Sequence, residues 1–204
     1  MPRRRPARSH TPSAVNARSE AATVRLIAGQ WRGRVLRCPA VDGLRPTGNR
    51  VRETLFNWLM PVIEGASVLD AFSGSGALGF EALSRGAKRA VMLEPELAAH
   101  KQLVANAELL EAANAKIFGT RAEQWLAIDA TETFGVVFID PPFALDLWPQ
   151  VIDQLESRGW LNSDALIYIE TPKNYTLQLP ANWRLHRQKA AGNVSYALYQ
   201  REAL

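Results

Sequence analysis

Asp70-Ala71-Phe72-Ser73-Gly74-Ser75-Gly76-Ala77-Leu78-Gly79 is the stretch on which the fold turns. Ser67–Ala71 is a short apolar run of the kind that forms a buried strand, and Ala77–Ser84, closed by Gly86, has the composition of a helix. A strand that feeds a glycine turn opening a helix begins a βαβ unit. In sheets built from such units the ligand lies outside the carboxyl ends of the strands. Glycines there let the main chain approach it closely.

Reading outward, strand and helix patterns alternate. Arg89–Leu93, Lys116–Phe118, Gly135–Ile139 and Ala165–Ile169 read as strands, separated by helices over Glu96–Leu110, Glu123–Ile128 and Leu147–Arg158. Gly135–Ile139 is nearly all apolar, as expected of a strand covered on both faces. The alternation predicts a mostly parallel sheet with helices on both faces. Trp183–Gln188 and Ser195–Gln200, with Gly192-Asn193 as their turn, predict an antiparallel hairpin on one edge. Upstream, Arg50–Ile63 carries apolar residues at helical spacing, Gly43–Gly48 is a loop, and Val24–Ile27 and Val35–Arg37 flank a turn at 29–33. Residues 1–22 show no periodicity and read as a disordered basic arm, which leaves 23–204 as one domain, with 23–48 as its N-terminal hairpin and loop.

Of 204 residues, 47% are hydrophobic and 22% charged, a globular balance suited to a single core. No run reaches the about 18 apolar residues of a membrane span, and the Arg-rich start lacks the apolar segment of a secretory signal. Cys38 is the only cysteine, which excludes an internal disulfide and a cysteine zinc cluster. His10, His100 and His186 have no metal-ligand spacing, so no metal is expected, and a cytoplasmic location is the simplest. The net charge of +4 is unevenly spread: residues 1–52 hold twelve arginines against Glu20 and Asp42 alone. Such a local excess fits contact with a polyanion.

Gly74, Gly76 and Gly79 spell G-x-G-x-x-G, a pattern shared with dinucleotide-binding proteins. In that pattern a pyrophosphate faces the helix N-terminus, and the intervening Asp70 would repel it. S-adenosylmethionine carries no phosphate but has an ammonium and a sulfonium charge, which an acid favours. Glu94, at the end of the next strand, is placed to accept both ribose hydroxyls of either ligand.

Asp140-Pro141-Pro142-Phe143, at the end of the fourth strand, carries the most specific chemistry. Two prolines remove two main-chain donors and stiffen the turn. The Asp140 carboxylate and the Pro141 carbonyl can then act as paired acceptors for an exocyclic amine, whose lone pair is otherwise delocalised into its ring. Phe143 is placed to stack on the base. The work is positioning and electrostatics. Methylation of a pyrimidine carbon would need a cysteine nucleophile, and Cys38 lies far from this motif in the chain.

Arg45-Pro46-Thr47-Gly48-Asn49-Arg50-Val51-Arg52-Glu53-Thr54-Leu55-Phe56-Asn57-Trp58-Leu59, taken with Asp70–Gly79 and Asp140–Phe143, resembles the bacterial RsmD family of 16S ribosomal RNA guanine-N2 methyltransferases. The similarity runs from Gly29-Gln30-Trp31-Arg32-Gly33-Arg34 to Leu198-Tyr199-Gln200-Arg201-Glu202. The resemblance implies a class I S-adenosylmethionine-dependent methyltransferase fold, Rossmann-like, with a seven-stranded sheet and an N-terminal hairpin. It implies that Asp70, Phe72, Ser73, Gly74, Gly76, Glu94 and the loop at Arg121, Ala122 and Glu123 hold the cofactor. Asp140, Pro141, Pro142 and Phe143 would be catalytic, and Arg32, Arg34, Arg45, Thr47, Arg50 and Arg52 would face RNA. The implied partner is 16S rRNA in a partly assembled 30S particle, met by a monomer. Where the family has an acid before the Ala of the third loop, this chain has Arg121, with Glu123 after it.

Two other readings stand beside this one. Adenine-N6 methylation of DNA or RNA uses the same Asp-Pro-Pro-aromatic chemistry, which does not choose the base. A non-catalytic RNA-binding assembly factor would be expected to lose Asp140 or the glycine loop, and both are intact.

Overall fold

A computed structural model describes residues 23–38 and 48–203. The arm at 1–22 and the segment holding Arg45 and Thr47 lie outside the described residues. The chain order is β1 (Thr23–Arg25), β2 (Val35–Arg37), α1 (Asn49–Leu59), β3 (Ser67–Asp70), α2 (Ala77–Ser84), β4 (Arg89–Leu93), α3 (Leu97–Leu110), β5 (Ala115–Phe118), α4 (Ala122–Trp125), β6 (Phe134–Ile139), α5 (Trp148–Ser157), β7 (Leu161–Pro172), β8 (Trp183–Ala191) and β9 (Val194–Arg201). β1 and β2 form a two-stranded antiparallel ribbon. The other seven strands form one sheet in the order β5-β4-β3-β6-β7-β9-β8, parallel except at β9 and β8. This is the mostly parallel seven-stranded sheet, with an antiparallel C-terminal edge and an N-terminal hairpin, that the resemblance implied.

Period-two alternation divides the core. Val68, Met92, Val136, Phe138 and Tyr168 face the layer that includes α1, α2 and α3. Leu69, Val91, Val137, Ile139, Ile167 and Ile169 face the layer of α5. α1 buries Arg52, Leu55, Phe56 and Leu59, one stripe at helical spacing. Pro61, which has no N–H to continue the ladder, stops that helix short of the expected Ile63. In α2 every residue is buried, and the turn between β1 and β2 lies on its outer side, where Ile27 N and Ala28 N donate to Glu81 and Trp31 N donates to Ser84 Oγ. Gly29 permits that contact: its φ is +80°, and a Cβ there would lie 1.7 Å from the Ser84 carbonyl oxygen.

β7 is the largest departure in length, spanning Leu161–Pro172 where Ala165–Ile169 was expected, with extra residues at both its ends. The C-terminal extension is held by the β9 partner, which pairs with β7 residue for residue from Leu166 to Pro172.

Candidate functional site

Four adjacent parallel strands each bring an acid to their carboxyl ends: Glu94 after β4, Asp70 closing β3, Asp140 after β6 and Glu170 in β7. Their registers align Met92 with Asp70, Asp70 with Phe138, and Phe138 with Tyr168. Glu94, Asp140 and Glu170 each lie two residues beyond a member of that row, so all four acids belong to the same face of the sheet.

Asp70 is buried, and its carboxylate accepts hydrogen bonds from the main-chain N–H groups of Gly79 (3.0 Å) and Phe72. Gly79 lies in the first turn of α2, so Asp70 takes one of the N–H groups of that helix end and sets a carboxylate where a pyrophosphate would sit, which weighs against the dinucleotide reading. Burial pushes the Asp70 carboxyl up to about 7, against the lowering effect of its two N–H donors. Gly76, at φ +78°, makes the turn; a Cβ there would lie 2.5 Å from the Phe80 ring. Ser73 is buried and donates through Oγ to the Asp70 carbonyl.

Glu94 is buried as well, and its two oxygens accept from Gly74 N (3.0 Å) and Glu96 N (2.8 Å), joining the β3 and β4 loops. Burial raises its pKa, and the two main-chain donors oppose that shift. Among the described residues, neither Asp70 nor Glu94 forms an ion pair with Lys or Arg. Two buried acids without a Lys or Arg partner among the described residues suit a ligand that brings its own positive charge and hydroxyl donors. On the neighbouring loop, Ala122 is buried, while Arg121 is exposed and pairs with half-buried Glu123 at 3.8 Å. Phe72 is partly buried against the α5-side core.

At the other half of the edge, Pro141 is buried and Pro142 exposed, and Phe143–Leu145 forms one 3-10 turn. The Phe143 ring is half-exposed and stands 5.6 Å from the Trp148 ring. Trp148 donates its indole N–H to the Glu170 carbonyl and lies 4.6 Å from Tyr175, centroid to centroid. These rings line the turn that follows Asp140.

Comparison with known proteins identifies the kin of this arrangement. The family model described as Conserved hypothetical protein 95 matches residues 24–200. Ribosomal RNA small subunit methyltransferase D of Escherichia coli is 52% identical over 88% of this chain and 91% of its own length. The protein of the same name from Haemophilus influenzae is 47% identical over 91% of this chain and 96% of its own. The chain belongs to the RsmD family. The solved structure of yhhF from Escherichia coli, 51% identical, covers 90% of this chain and 100% of that one with a TM-score of 0.82.

The arginines that RsmD resemblance assigned to RNA do not share one environment. Arg32 and Arg50 are exposed. Arg34 is exposed but donates to the Leu109 carbonyl near the end of α3, where a cation also meets the negative end of the helix dipole. Arg52 departs from the expectation. Its side chain is fully buried, donates to the Arg25 carbonyl and to Asn49 Oδ1, and lies 3.6 Å from the equally buried Glu81. Glu81 also accepts from Ile27 N, Ala28 N and Arg85 Nε. Arg52 therefore ties α1 to α2 and the ribbon from inside, and its guanidinium is out of reach of RNA.

Cys38 is buried and hydrogen-bonded to Ser75, and burial raises its thiol pKa, which keeps it protonated rather than nucleophilic. Sequence reasoning passed over Glu170 and Tyr168. The signal available was an acid directly after an apolar strand, the same pattern that marked Glu94 and Asp140.

Proposed function

We propose that this protein transfers a methyl group from S-adenosylmethionine to the exocyclic N2 of a guanine in 16S rRNA, in the cytoplasm, acting as a monomer on a partly assembled 30S particle. The observation that carries the reading is the Asp140–Phe143 turn, set beside the acid-lined glycine loop in a chain 52% identical to ribosomal RNA small subunit methyltransferase D.

Asp70 and Glu94, with Gly74, Gly76 and the loop at Ala122, would hold the cofactor: Asp70 against its ammonium, Glu94 against its ribose hydroxyls. When bound, S-adenosylmethionine supplies a methyl group on a positively charged sulfur. Asp140 accepts one N2 hydrogen of the target guanine and the Pro141 carbonyl accepts the other. This draws nitrogen toward tetrahedral geometry and turns its lone pair to the methyl carbon. With the amine so held, S-adenosylmethionine would supply the methyl group and keep the S–C bonding electrons on its sulfur. Asp140 then takes up the surplus proton and passes it to solvent. Phe143 stacks on the base, which must leave its own stack to enter. Exposed Arg32 and Arg50 meet phosphates.

Nucleoside mass spectrometry of ribosomal RNA from cells with and without the gene tests the reading. N2-methylguanosine lost from the small subunit on deletion is the expected result. N6-methyladenosine lost instead, or no change, would overturn it.

A further inference from the structure

The Asp-Pro-Pro-Phe turn holds an amine but does not say which ring carries it, and the strand beside it supplies what the motif lacks. Glu170 lies within β7 in parallel register with β6, where Phe138 pairs with Tyr168 and Ile139 with Ile169. The next pair in that register is Asp140 and Glu170. By strand alternation Glu170 belongs to the face of Tyr168, and its cross-strand partner on β9 is Tyr196.

The Tyr168 phenol confirms that direction, since it donates to Glu170 Oε1 at 2.8 Å. Tyr168 is fully buried, and burial and then the charge of Glu170 raise its pKa, with a further contribution from Asp140. One phenol therefore senses both carboxylates. Its ring packs against Phe138 on one side and lies 6.4 Å from Tyr196 on the other, and Tyr196 stacks on Trp58 of α1. The main chain of Glu170 is fixed too, since its carbonyl accepts from Trp148, the ring next to Phe143. Glu170 is thus buried, its carboxylate held by Tyr168 next to Asp140 on the α1-side face of the sheet, and its carbonyl anchored by Trp148 from the α5 side.

The pattern of acceptors this creates matches one base. The Watson–Crick edge of guanine presents three donors in a row, N1–H and the two hydrogens of N2. Asp140 and the Pro141 carbonyl take the N2 hydrogens, which leaves N1–H facing the next acceptor along the edge. Adenine offers an N1 lone pair at that point, which a carboxylate repels. A buried polar group that must be paired discriminates far more strongly than shape alone, by as much as about 10⁴-fold.

Resting on the guanine-N2 reading above, we infer that Glu170, oriented by Tyr168, selects the base by accepting guanine N1–H, while Asp140 serves the methyl transfer itself.

The test uses small-subunit particles reconstituted on RNA carrying guanine or 2-aminopurine at the target position. Both bases bear an N2 amine, but 2-aminopurine has a lone pair at N1 in place of N1–H and no oxygen at C6, so it is the change of the ratio in the Glu170 variant that reads N1. For the wild-type enzyme, kcat/KM on guanine should exceed that on 2-aminopurine by at least a hundredfold. Glu170→Gln can donate an amide N–H to the N1 lone pair, so the ratio should fall to near one or invert, with cofactor affinity kept. A residue that only supports the fold would lower both rates together and leave the ratio unchanged, and that outcome overturns the assignment. Equal wild-type rates on the two bases overturn it whether or not the variant folds, since they exclude any reader of N1–H. A wild-type enzyme that leaves guanine unmethylated overturns the guanine reading first, and this assignment with it.

Discussion

The two halves of the carboxyl edge use their acids differently. On β3 and β4, Asp70 and Glu94 are pinned by main-chain N–H groups of Gly79, Phe72, Gly74 and Glu96. On β6 and β7 the contacts come from side chains: the Tyr168 phenol holds the Glu170 carboxylate, and Trp148, next to Phe143, holds the Glu170 carbonyl. Main-chain donors fix a carboxylate with little dependence on neighbouring side chains, which suits a cation and hydroxyls that every turnover must bind. Aromatic walls give shape and a low dielectric, which suits a flat base that must be placed and chosen. The first half should therefore govern cofactor affinity, and the second turnover and base choice.

The sharpest way to break that division is Asp140→Asn. Loss of one charged acceptor from a preorganised site should lower kcat by about a thousandfold, while equilibrium dialysis finds cofactor affinity within about twofold of wild type. A large loss of cofactor binding would merge the two halves into one site. Arg52→Ala comes next in size. It removes the buried guanidinium that ties Asn49 and the Arg25 carbonyl to Glu81, while Arg85 still pairs with Glu81, so the loss of these charged hydrogen bonds should cost about 2 kcal/mol in chemical denaturation. The effect should be insensitive to salt, because the pair is sealed from solvent.

The pH dependence sharpens the cofactor half. The Asp70 carboxyl stands at about 7 in the folded protein against an ordinary 3.8. Its folded pKa is raised, so the cofactor-free protein is favoured at low pH and loses stability as pH rises from near 3.8 to about 7. A cation bound beside Asp70 reverses the preference. Cofactor affinity should rise through neutral pH and level off above it, weakening by up to about tenfold per unit on the acid side. In Asp70→Asn this slope should shrink and affinity at pH 8 should fall. An unchanged slope would assign the titration to Glu94, whose pKa burial also raises.

What the sequence disclosed follows the same division. The glycine loop, Asp70 and Glu94 were legible because their roles are local: a turn needing φ > 0 at Gly76, and an acid at the end of an apolar strand. The extent of β7 was not, since its last residues are held by β9, a strand that comes later in the chain. Glu170 fell just beyond the expected strand end and went unread. Arg52 misled for a related reason. Within its own segment it is one more cation in a basic run, and its burial is decided by Glu81 in another helix and by the ribbon carbonyl of Arg25.

The smallest predicted effect lies on α1, where Arg50 and Arg52 are two residues apart yet point to different media, one exposed and one buried. Arg50→Ala should leave the denaturation midpoint within experimental error, because an exposed side chain in no ion pair among the described residues carries little stability. Its effect should fall on RNA. Losing one phosphate contact should reduce the slope of log affinity against log salt by somewhat under one, about 0.7–0.9, and weaken binding a few-fold at moderate salt. Filter binding of small-subunit RNA across a salt series reads both numbers. A weakened affinity with the slope intact would mean that Arg50 acts through shape or base contact rather than through phosphate. No change in either would move the polyanion surface away from the exposed side of α1, toward Arg32 and its ribbon.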